Sequence, residues 1–144
     1  MSIKGVAEVR KNLQRVFDDI KGPMTEKTIT EILIVGGGLA DVMTPVDLGN
    51  LVNSRFRIVH PSKGGWTGRY GYTAAYAAAV HSFSGKLKGQ PRSSVSAFET
   101  KKGTAFAGDS GNFWDPDGEP QWLEKGFEQS IEDIKGVIKR NMQL

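Results

Sequence analysis

The sequence predicts a single α+β domain, and three observations carry that expectation. Apolar residues recur at helical spacing through the first third of the chain and again from Gln121 onward, whereas residues 55–72 alternate as short strands do. Between them, residues 84–112 are rich in Gly, Ser, Lys and Thr and read as an insertion or arm. At 144 residues the chain is one domain in size, long enough to bury about 68% of its unfolded surface in a single core. The expected layout over 1–144 is two N-terminal helices, a small, mostly antiparallel sheet with a long hairpin-like arm, and a C-terminal helix.

Each element has its own signal. Val6, Val9, Leu13, Val16, Phe17 and Ile20 fall on one helical face, so 3–21 is expected to be an amphipathic helix ended by Gly22 and Pro23. Thr28, Ile32, Val35, Leu39, Val42 and Met43 also step by three or four, with Pro23 at a natural helix start and Pro45 just past the end. This second helix would contain Gly36, Gly37 and Gly38, each costing about 1 kcal/mol against alanine, so it requires close packing on its glycine face. After Pro45, "VDLGNLVNS" reads as a short helical turn. Phe56 and Ile58 then alternate with Arg55 and Arg57 as in a strand, "PSKGG" is a hairpin loop, and a return strand runs through Tyr72. The small residues of "TAAYAAAV" fit either helix or strand. "WDPDGEP" is turn chemistry, and Leu123, Phe127, Ile131, Ile134 and Ile138 define the last helix.

Composition narrows the function. The chain has no cysteine, which removes disulfides, thiolate metal sites and cysteine nucleophiles and fits a protein made in a reducing cytoplasm. No apolar run approaches the ~20 residues of a membrane span, and the first residues lack the apolar centre of a signal peptide. The net charge of +3 resides in 84–112, where Lys86, Lys88, Arg92, Lys101 and Lys102 face only Glu99 and Asp109. No acidic residue stands between Asp47 and Glu99, while Arg55, Arg57, Lys63 and Arg69 add to the basic groups there. Such a span is either a solvated basic face or a contact for an acidic protein or nucleic acid.

Three enzyme signals fail on their own requirements. "VGGGLAD" resembles a dinucleotide fingerprint, but Asp41 occupies the third small position, Pro45 comes too early for the helix, and no acid follows at ribose-binding distance. "GDSGN" around Ser110 and "TAAY" ending at Tyr76 echo a serine-protease pair, yet Tyr76 cannot replace the imidazole base. "DPDGE" lacks the alternating oxygen ligands and closing glutamate of a calcium loop. His60 and His81 flank no carboxylate pair at ligand spacing. The expectation is therefore no catalytic residues, no cofactor and no metal.

What remains is an ordered set of motifs. Thr44, Pro45, Val46, Asp47, Gly49, Leu51 and Ser54 form the first, Tyr76, Ala77, Val80 and His81 the second, and Pro120, Leu123 and Phe127 the third. In this order, with these flanking elements, the chain resembles the small neck and tail-completion proteins of tailed bacteriophages, a group that includes head–tail joining and tail-terminator proteins. Leu48 stands where that family usually has threonine, and 84–112 is longer than its usual insert. The first motif has a local physical sense: Pro45 stops the helix, Asp47 can cap the next turn, Gly49 relieves the bend, and Leu51 returns the chain to the core. The resemblance implies a virion protein forming a homo-oligomeric ring, most often a hexamer, through which DNA passes. Its neighbours would be a connector or head-completion protein and the tail tube protein. Lys86, Lys88, Arg92, Phe98, Lys101, Lys102 and Phe106 are the candidate contacts to partner or channel. The alternatives are a small basic DNA-binding module and a minor tail or capsid component elsewhere in the virion.

Overall fold

The computed structural model describes residues 4–46, 49–91, 98–100, 103–105 and 114–142. Its elements are α1 (Lys4–Asp19), α2 (Thr25–Met43), α3 (Asn50–Asn53), β1 (Arg55–Ser62), β2 (Gly65–Tyr72), α4 (Ala77–His81), β3 (Phe98–Thr100), β4 (Gly103–Ala105), α5 (Trp122–Gln129) and α6 (Ile131–Asn141). This is the expected α+β class, with β1 pairing β2 and β3 pairing β4, both antiparallel.

Two N-terminal helices form, α1 ending at Asp19 and α2 beginning at Thr25, with the expected break in the path at Gly22 and Pro23. A π-helical stretch, Ile20–Met24, joins α1 to α2, and Gly22 alone leaves the helical region, at φ −111° and ψ −108°. Proline cannot donate to the preceding turn, so the ladder must open there. The freed carbonyls find other donors: the Trp66 indole N–H donates to Lys21 O at 3.0 Å, and the Thr25 hydroxyl donates to Ile20 O.

The three glycines do lie within a helix, α2, as expected. Two of them meet aromatic rings: a Cβ on Gly36 would overlap the Phe127 ring, and one on Gly37 would overlap Tyr70. The close approach of two rings therefore offsets the low helix propensity. Gly38 faces open space. The helix stops at Thr44, whose ψ of 125° is extended, as required of a residue before Pro45.

α2 is the central element. β2 runs along one flank in the same direction, with Gly68 against Ile29 and Leu33, Tyr70 against Gly37, and Tyr72 bonded to Asp41. α5 and α6 run back along another flank, placing Gly126 on the Ala40 backbone, Phe127 on Gly36, and Arg140 and Asn141 on Glu31. The Tyr70 and Phe127 rings meet edge to face at 6.1 Å, closing hairpin onto helix. Among the described residues, nothing covers a third flank of α2, where Ile34 and Val42 are exposed.

Three expectations are corrected. The strand alternation is present, but Val59 pairs with Gly68 and so shares the face turned to α2 with Arg55 and Arg57, while Ile58 points outward and is 49% exposed. The inward face is already filled by Tyr70 and Tyr72, and Arg55 reaches in to pair with Asp41 at 3.2 Å. The hairpin loop is shorter than "PSKGG": Pro61, Ser62 and Gly65 belong to the strands, leaving a turn at Lys63 and Gly64, with Gly64 at φ 90°. The C-terminal helix is two helices. Ser130, at ψ 5°, breaks the register, and its hydroxyl donates to Gly126 O at 2.7 Å. Past that break the buried face is Ile134 and Val137, and Ile131 and Ile138 are turned to the surface.

Candidate assembly interface and the cluster that positions it

The three sequence motifs converge on one place. Ala40, Leu51, Ala77 and Trp122 form the core cluster, with Met43, Tyr72, Ala74, Val80 and Leu123 packed against it. Each motif thus supplies a residue to the same apolar centre. From the first come Leu51 and Thr44, from the second Ala77 and Val80, and from the third Leu123, with Phe127 continuing onto Gly36.

Polar contacts fix the geometry around that centre. The Thr44 hydroxyl lies 2.8 Å from both Ala40 O and the Tyr72 hydroxyl, and the Tyr72 hydroxyl also donates to Asp41 Oδ1 at 2.9 Å. Burial pushes the Tyr72 phenol up to about 12, with the Asp41 carboxylate adding to the shift and Thr44 opposing it. Burial, then Asp41, raises the Tyr70 phenol as well. Both therefore remain neutral donors across the physiological range. Tyr72 packs edge-on against Trp122 at 5.8 Å, and the His81 ring lies 4.8 Å from Trp122 on its other contact. His81 is a packing residue here, with its Nε2 buried and lacking a hydrogen bond.

The remaining motif residues shape the backbone. Pro45 packs on Gly118, where a Cβ would lie 2.8 Å from it. Gly49 holds the left-handed conformation, φ 75°, that opens α3. Ser54 is a junction: its hydroxyl donates to Leu51 O at 2.7 Å and accepts from Ala74 N at 3.1 Å, while its carbonyl accepts from Thr73 N at 2.8 Å. Asp47, the expected cap, lies outside the described residues.

The sequence missed the groups that hold the insertion's base. Asp115 Oδ2 accepts from Val46 N at 2.6 Å, and Glu119 N donates to Met43 O at 2.8 Å, so "DPDGEP" is clamped to the end of α2. Gly89 N donates to Trp114 O at 3.1 Å and Trp114 N donates to Gln90 O at 2.9 Å. These two bonds tie the ends of the excursion together, which places 84–91 on the body of the domain. Glu119 pairs with Lys88 and with Lys125, the latter at 2.9 Å. Hydrogen bonds from Lys88 and then Lys125 hold its carboxyl below the ordinary glutamate value.

Of the candidate contact residues, Lys86 is exposed on this base and Lys88 is engaged with Glu119. Phe98 is in β3, opposite Ala105. The side chain of Phe98, and Arg92, Lys101, Lys102 and Phe106 altogether, lie outside the described residues, as does Ser110. Among the described residues no three His, Cys, Asp or Glu side chains are grouped to hold a metal, and no helix is long and apolar enough to cross a membrane.

Two apolar surfaces lack a partner among the described residues. On α1, Val9 is 58% exposed, Leu13 52% and Phe17 53%; on the open flank of α2, Ile34 is 48% exposed and Val42 76%. Each β-sheet has two strands among the described residues, and no further described strand pairs with the outer edges of either hairpin. The arrangement offers hydrogen-bonding edges and helical apolar stripes, the features by which subunits join. No protein-family model, curated protein sequence or solved structure matches the chain.

Proposed function

We propose that the chain is a structural virion protein of a tailed bacteriophage, a tail-completion or neck subunit that forms a ring joining the tail to the head, with DNA passing through its channel. The observation that carries the reading is the convergence of the three ordered motifs on one core cluster, which gives the resemblance a common structural basis. The uncovered stripes of α1 and α2 and the open hairpin edges support an assembling subunit. On this reading the protein performs no catalytic step, takes no cofactor, and works in the virion after synthesis in the host cytoplasm. Its partners are copies of itself, the connector or head-completion protein and the tail tube protein.

Removal of the gene followed by imaging of the lysate tests the proposal. Separate full heads and finished tails support joining, and overlong tails support a terminator role. Normal infectious particles refute both.

A second reading, a small DNA-binding module, draws on the hairpin, where Arg57, Lys63 and Arg69 are exposed and make no ion pair among the described residues. It requires DNA affinity that falls steeply as salt rises. Weak, salt-insensitive DNA retention disposes of it.

A further inference from the structure

The two uncovered stripes have the same spacing. Val9, Leu13 and Phe17 are four residues apart on α1, and Ile34, Gly38 and Val42 are four residues apart on α2. Each ridge spans nine residues, a rise of roughly 12 Å between its ends. Rows of this i±4 type are the ridges that interdigitate in the commonest class of helix crossing. The α2 row has a notch at its centre: Gly38 is exposed, and a Cβ built there meets nothing within 4 Å. The α1 row has a protruding leucine at the matching position.

α1 cannot remain uncovered without cost. Helices of this length are marginal in water on their own, and its main contact within the chain is the π-helical stretch that follows it. α1 makes no substantial contact with α2 of its own chain, so its stripe is not covered by folding back along that helix.

We propose that α1 of one subunit lies across the open flank of α2 of the next, with Leu13 seated at Gly38 between Ile34 and Val42 and with Val9 and Phe17 on either side. The proposal rests on the ring reading and specifies its contact. The occupant is a second copy because this pairing covers both stripes at once. An α1–α1 pair would leave α2 bare. The two stripes would form the apolar centre of the contact, and a specific interface needs a rim around that centre that brings the total to ~1,200 Å² or more. The contact is head-to-tail, so each subunit makes it twice and it can close into a ring.

The absence of cysteine from the chain makes the test direct. The Leu13→Cys/Gly38→Cys double variant is oxidised at concentrations where light scattering shows the unmodified chain assembled, then run on a denaturing, non-reducing gel. Both positions are exposed, and Gly38 has helical backbone with room for the side chain. The expected result is a ladder of dimer, trimer and higher species, with dimer alone from a mixture of the two single variants. In parallel, Leu13→Asp/Phe17→Asp is expected to keep the melting transition of the body and lose assembly. A fast-migrating monomer from the double variant would mean that α1 folds back on its own chain, and efficient dimer formation from Leu13→Cys alone would mean α1–α1 pairing. Either overturns the proposal. No cross-link in an assembled ring overturns this contact and leaves the ring reading standing. A chain that stays monomeric throughout, with no cross-link, fails both.

Discussion

At the residue scale, three adjacent glycines have different environments and should respond differently to the same substitution. Gly37→Ala forces Tyr70 to move from α2, and overpacking of this kind costs about 1–3 kcal/mol. Gly38→Ala meets open space, and is expected to raise stability of the isolated subunit by about 0.5–1 kcal/mol through helix propensity. Chemical denaturation of the two variants checks the contrast; equal effects would mean that α2 is packed differently. Tyr72 gives a pH signature. Its folded pKa, about 12, lies above the unfolded value of about 10, so between those values the unfolded chain binds fewer protons than the folded one. Stability is therefore expected to be full below pH ~10 and to fall as pH rises through about 12. Tyr72→Phe should lower stability at neutral pH, by loss of the bonds to Thr44 and Asp41, and make the alkaline fall shallower. Tyr70 contributes in the same direction, so some slope remains.

At the element scale, helices and hairpin were legible in the sequence where period and punctuation agreed, as with α2 between its prolines and β1–β2 around Gly64. Phase was less legible. The helical row that includes Val42 reads as a core face, yet the aromatic rings of β2 and α5 select the glycine side of α2, because only there can the elements approach closely. Likewise Ser130 resets the register of the last helix through a single ψ, which no apolar periodicity reveals. The motif residues of the candidate site were legible one by one, but their meeting was not, since it depends on contacts between residues far apart in sequence. The clamp from Asp115 and Glu119 was hidden because a turn sequence does not name its acceptor or donor partner. Serine at Lys86, Lys88, Arg92, Lys101 and Lys102 is expected to leave the subunit folded and to abolish partner binding or head–tail joining, and serine at Phe98 and Phe106 to do the same. Because Lys88 pairs with Glu119 in the chain, Lys88→Ser alone is expected to act on the stem rather than the partner. Normal particle yield with the whole set neutralised and the aromatics removed would make the arm a solvated loop.

At the scale of the whole molecule, the ring reading makes the single subunit incomplete, with stripes on α1 and α2 that a neighbour would cover. Its stability should depend on protein concentration, because assembly binds the folded state and not the unfolded one. Leu13→Asp/Phe17→Asp is expected to abolish that dependence while preserving the melting transition found at low concentration. Closure of copies of this chain into a ring is tested most directly by native mass spectrometry of the purified chain, alone and mixed with the proposed connector and tail tube partners. The expected result is one dominant closed species at a fixed integer multiple of 15.7 kDa, most often six. A monomer that persists under both conditions, or an open-ended series of masses with no preferred stoichiometry, would contradict it.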